Sequence, residues 1–167
     1  MRKLLLILII LFIADHSIGQ TYSFTKTNEG SLTVLPVVFL NLTTVAGVPA
    51  FDDENDYNNG VTQATYANAW VKANLPWVLT VKAQNATFTP MTTGASATMP
   101  CGVISLKKST NTTWLTLTTT AQTLTTGPLG PNTVTGNTFA VSMRFNPGWS
   151  YPGGLYRLNV IFTASQQ

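Results

Sequence analysis

The sequence predicts an all-β protein, a single antiparallel β-sandwich behind a cleaved signal peptide. Three observations predict it. Apolar and polar residues alternate with period two in several short runs, which is how strands with one buried face read. Clusters of Gly, Pro and Asn separate these runs at sandwich spacing, giving roughly eight to nine strands. No convincing amphipathic helix interrupts them. Charged residues make up 9% of the chain, against roughly 25% in ordinary soluble domains. The surface is left to Thr, Asn and Ser, which suit extracellular strands and turns.

In chain order, Arg2 and Lys3 precede an uninterrupted apolar run over residues 4–14. Asp15 and His16 end the run, and Ser17-Ile18-Gly19 supplies the small residues of a signal-peptidase site. Cleavage is expected after Gly19, so that residues 1–19 are the leader and residues 20–167 the domain. The apolar run is shorter than the roughly 20 residues of a membrane span. Within residues 20–30, Tyr22 and Phe24 lie on one side of a weakly alternating stretch that reads as a first strand or a free N-terminal arm.

Leu32-Thr33-Val34 and residues 37–42 read as the next strands. Pro36 divides them because it cannot donate to a ladder. Residues 43–60 read as a long loop. Residues 64–73 read as extended, with their alanines leaving a short helix open. After the turn Asn74-Leu75-Pro76, the residues Trp77, Leu79, Val81 and Ala83 alternate with Val78, Thr80 and Lys82 in a central strand. Phe88-Thr89-Pro90 ends a short continuation, and residues 92–100 read as a flexible loop. Residues 102–106 and 112–119 read as a hairpin, with Leu115 and Leu117 on one face. Residues 123–125 read as a short strand before the breakers of residues 127–131. Phe139, Val141, Met143 and Phe145 form one closing row, and Tyr156, Leu158, Val160 and Phe162 form the other. A Gly/Pro-rich loop at residues 146–154 lies between them.

Removing Arg2, Lys3 and Asp15 with the leader takes the formal charge from +3 to about +2. Beyond Lys107-Lys108 there is no basic patch, so no nucleic-acid partner is expected. The sole histidine, His16, departs with the leader. The mature chain then has no imidazole for a catalytic triad, a histidine metal site or acid–base work. Cys101 has no second cysteine to pair with, and its context reads as the start of a buried strand. Every acid of the mature chain except Glu29 falls in one short run. Two carboxylates flanking a glycosidic bond come from separate elements across a cleft, so no enzyme is expected.

That acidic run is a candidate site. Asp52, Asp53, Glu54 and Asp56 offer hard oxygens, and Asn55, Asn58 and Asn59 add amide carbonyls, all suited to calcium. The spacing is not that of an EF-hand, and the same residues make ordinary solvated loops. A second candidate is aromatic. Trp149 and Tyr151, in a Pro/Gly loop, read as an exposed pair able to stack on a glycan. Trp70, Trp77, Trp114, Tyr57 and Tyr66 join them or pack in the sandwich.

The stretch NLPWVLTVKA over residues 74–83, followed by Phe88, resembles the first Trp-x-Leu element of bacterial WxL cell-surface domains. GLYRLNVIFTA over residues 154–164 resembles that family's final strand, with Tyr156 six residues before the second motif. Phe162 and Ala164 stand where the family has Trp and Leu. The Gly-x-Tyr followed by an alternating strand is also similar to pilins. The resemblance implies an Ig-like or pilin-like sandwich displayed at the cell surface, periplasm or exterior. Wall association, by that resemblance, rests on Trp77 and Leu79. The expected function is non-catalytic: a structural or adhesive surface protein that assembles with itself or with other envelope proteins, with Tyr22 and Phe24 on an assembly arm. The alternative is a module that binds cell-wall polysaccharide or glycan through Trp149 and Tyr151.

Overall fold

Trp77–Ala83 buries every second side chain, as the alternation predicts, because successive strand residues face opposite sides. The computed structural model describes residues 26 and 29–167. The chain divides into two units, Met1–Val34 and Leu35–Gln167. In the first, residues 29–34 form no helix or strand, so the strand expected at Leu32-Thr33-Val34 is absent. The expected leader, and the arm residues Tyr22 and Phe24, lie outside the described residues. Among the described residues, no helix is long and apolar enough to cross a membrane.

The second unit is an all-β sandwich of ten strands. They are β1 Val38–Thr44, β2 Val61–Ala73, β3 Trp77–Ala83, β4 Thr89–Pro90, β5 Ile104–Lys108, β6 Leu115–Thr116, β7 Gln122–Gly127, β8 Thr138–Phe145, β9 Tyr156–Arg157 and β10 Val160–Gln166. One sheet runs β1-β2-β8-β5-β6 and the other β10-β3-β7, with β4 and β9 as a separate pair. All pairings are antiparallel. The count exceeds eight to nine in part because the closing run expected as one strand is broken into β9 and β10, with β9 pairing β4 over two residues.

The first closing row is β8, beside β2 and β5. The second is not one strand. Tyr156 belongs to β9, paired with β4, Leu158 lies in the break, and only Val160 and Phe162 lie in β10, beside β3 in the opposite sheet. Residues 64–73 are strand throughout. Ala67, Ala69, Val71 and Ala73 all point inward and are buried, so period-two burial overrides the helical preference of alanine. Trp77 is fully buried, stacks on Phe139 at 6.1 Å, and donates its indole N–H to Asn137 at 2.9 Å. Gly127 passes so close that any Cβ there would overlap the Trp77 ring, which explains a glycine inside a strand. Cys101 is buried, but in a 3-10 turn, Cys101–Val103, that precedes β5. Its thiol donates to the Leu117 carbonyl at 3.5 Å.

The stretch read as a loop over residues 43–60 also contains a helix, α1, Glu54–Asn59. Its six residues complete fewer than two turns, too few for an amphipathic period to register.

Candidate functional site

The acidic run and the Gly/Pro loop, separate candidates in the sequence, meet at one end of the sandwich. That end is where β2 begins, β8 ends and β5 begins, through the Val61↔Phe145 and Ile104↔Phe145 partners. Asp53 is extended and caps α1, its Oδ1 accepting from the Asp56 N–H at 2.8 Å. Such a cap satisfies a donor that the first turn leaves unpaired. Gly60 ends the helix at φ 76°, in the left-handed region that glycine enters without penalty. A Cβ there would also press on the Phe145 carbonyl oxygen. The helix is thereby held against the end of β8.

From this helix Tyr57 reaches two aromatics. It packs on Phe51 at 5.7 Å, donates its hydroxyl to the Phe51 carbonyl at 3.2 Å, and stacks on Trp149 at 4.4 Å with planes 21° apart. The Trp149 indole N–H donates to Asn58 Oδ1 at 2.9 Å. Glu54 Oε1 accepts from the Asn58 amide at 3.5 Å, which orients its oxygen towards Trp149. One face and the N–H of Trp149 are thus committed to α1, yet 65% of the residue is exposed. What it offers to solvent is a flat, fixed ring face.

Tyr151, expected to be exposed beside Trp149, is half-buried instead. It lines a cavity together with Phe51, Tyr57 and Phe145. The loop folds back over the sandwich end, so two residues of spacing place one ring outside and the other inside.

The carboxylates of Asp52, Asp53 and Asp56 converge to within 4.8 Å of one another, and Glu54 lies outside that group. The three are oxygen donors of the kind calcium takes. Two of them also serve the helix: Asp53 is the cap, and Asp56 Oδ2 accepts from the Asp52 N–H at 3.5 Å.

Trp77 and Leu79, the residues on which implied wall binding rests, are both fully buried in the core. Trp114 carries Lys107 Nζ at 5.0 Å and Arg144 at 5.2 Å over its ring, and Trp70 carries Lys72 at 4.9 Å. The Arg144–Trp114 contact and the α1–Trp149 contact join residues distant in the chain, which a local pattern does not reveal; Lys72–Trp70 and Lys107–Trp114 are local cation–π contacts. No protein-family model matches this chain, and no curated protein matches it.

Proposed function

We propose that the mature chain is a non-catalytic, exported adhesive protein that binds a surface glycan on the free face of Trp149. One observation carries the reading: Trp149 is largely exposed yet immobilised by a stack and a hydrogen bond. A large exposed ring carries hydration cost and gains nothing from folding. Fixing it in advance removes the entropy that a mobile side chain would lose on contact, as in rigid aromatic anchors of binding surfaces. The leader-like start and the surface poor in charge support export.

Sedimentation of the mature protein with and without isolated cell-wall polysaccharide tests this. Pelleting only with wall, and at least tenfold weaker for Trp149→Ala as expected when a hot-spot ring is lost, supports the proposal. Wall pelleting that survives Trp149→Ala overturns it.

A second reading, an assembly subunit, is favoured by the sheet edges. Among the described residues, β1 pairs only with β2 and β10 only with β3, leaving two seven-residue edges free. Phe39, on the outward face of β1, is 60% exposed. Free edges of this length accept an added strand. In the sedimentation assay this reading gives pelleting without wall.

A further inference from the structure

At the end of the sandwich that carries α1, side chains do not fill the space between the sheets. Two adjoining cavities, of about 300 Å³ and about 370 Å³, share walls formed by Val48, Pro49, Phe88, Phe145, Leu155 and Tyr156. Met143 and Val160, on opposite sheets, line the second. Each volume is in the range of small-molecule sites and about twice that of an apolar cavity known to hold benzene.

The walls are fastened. On one side the chain after β1 crosses the opening. There Val45 N–H and Ala46 N–H donate to the Tyr66 carbonyl at 3.0 and 3.2 Å, and Gln63 donates to the Gly47 carbonyl at 2.8 Å. On the other, Met91 N–H donates to the Leu155 carbonyl at 2.8 Å, and Leu155 N–H to Thr92 Oγ1 at 3.0 Å. The Tyr57 hydroxyl is spent on Phe51, and the Tyr156 hydroxyl donates to the Pro152 carbonyl while accepting from Ser96 N–H. Tyr66 and Tyr151 also line the cavities, but most of the remaining walls are carbon, so a sugar's many hydroxyls would find few partners there, at a desolvation cost. Arg157, exposed, borders the same space and places a fixed positive charge at its rim.

Two exposed glycines line the cavities, Gly153 the first and Gly47 the second. Gly47 and Gly153 line the cavities with no left-handed backbone, and a Cβ on either would meet nothing within 4 Å. Neither turn geometry nor close packing requires glycine at these positions. Any larger side chain would project into open space at the cavity wall.

We propose that this interlayer cavity binds a small amphipathic carboxylate, a free medium-chain fatty acid. Its chain lies between the sheets, where burial of apolar surface drives binding. Its carboxylate meets the Arg157 guanidinium, whose fork matches two oxygens. The site is distinct from the free face of Trp149, which does not line it, although Tyr57, on which Trp149 stacks, does.

The test is calorimetric titration of the mature protein with sodium decanoate, with 1-decanol as the uncharged control. Saturable 1:1 binding with a negative heat-capacity change is expected. Gly153→Leu, placed where the backbone tolerates it, should weaken decanoate at least tenfold. Arg157→Gln, at an exposed position, should weaken decanoate about tenfold, the loss of one charge-assisted contact, and leave decanol unchanged. Trp149→Ala should weaken decanoate far less than it weakens wall pelleting, which separates this site from the glycan reading. Absence of saturable binding overturns the proposal, as does decanoate binding untouched by Gly153→Leu or by Arg157→Gln. Pelleting with phosphatidylglycerol vesicles without decanoate binding would also overturn it and assign the surface to lipid headgroups.

Discussion

Asn137 shows what one buried polar side chain can hold together. It is fully buried, accepts from the Trp77 indole, and donates its amide to the Gly130 and Pro131 carbonyls at 3.3 and 3.0 Å. Its own carbonyl accepts from Val71 N–H at 2.8 Å. The central tryptophan of the smaller sheet, the β7–β8 connection and β2 of the larger sheet therefore share one residue. A buried tryptophan N–H without a partner is costly, whereas the Gly130 and Pro131 carbonyls keep the Ala73 and Val134 N–H donors at 3.1 Å each. Asn137→Ala should destabilise the fold by about 2 kcal/mol, since the buried Trp77 N–H is left unpaired and two side-chain hydrogen bonds to the loop are lost. Urea unfolding of the variant checks this, and a loss below about 1 kcal/mol would place the loop's stability elsewhere.

At the scale of elements, α1 depends on its ends, because a helix of six residues is far too short to be stable by propensity. Asp53 caps it, Gly60 stops it, and the Phe51–Tyr57–Trp149 stack pins its side. Asp53→Ala should cost about 1 kcal/mol, the worth of a cap, and loosen the platform on which Trp149 rests. The expected readout is severalfold weaker wall pelleting with the β-sandwich intact by circular dichroism. Asp53→Asn keeps a capping oxygen and should restore binding; if it fails to do so, the carboxylate charge rather than the cap carries the effect.

For the molecule as a whole, the sheets are unequal, five strands against three, and this leaves both free edges and the open interlayer end. The inward rows of the edge strands, Val38, Leu40 and Leu42 on β1 and Val160, Phe162 and Ala164 on β10, are only partly buried. In the assembly reading, residues 20–27 are the segment that adds to such an edge in a neighbouring copy through Tyr22 and Phe24. Deleting them should abolish oligomers in analytical ultracentrifugation while leaving the melting transition unchanged. Oligomers that persist in the shortened chain would refute that role.

The sequence by itself determined the fold class, most of the longer strands and the core role of Trp77 and its alternating partners. These follow from local period-two patterning, and a strand declares its buried face within a few residues. The inward facing of Phe139, Val141 and Met143 was legible for the same reason; the burial of Cys101 was expected too, but in a strand and not in the 3-10 turn where it lies. Tertiary structure alone decided that α1 and Trp149, 91 residues apart along the Asn58–Trp149 hydrogen bond, form one platform. It also turned Tyr151 inward, set Asp53 as a helix cap, and left a cavity between the sheets. Each of these depends on which strand ends share one end of the sandwich, and that is fixed by non-local pairing, of which a one-dimensional pattern carries no trace.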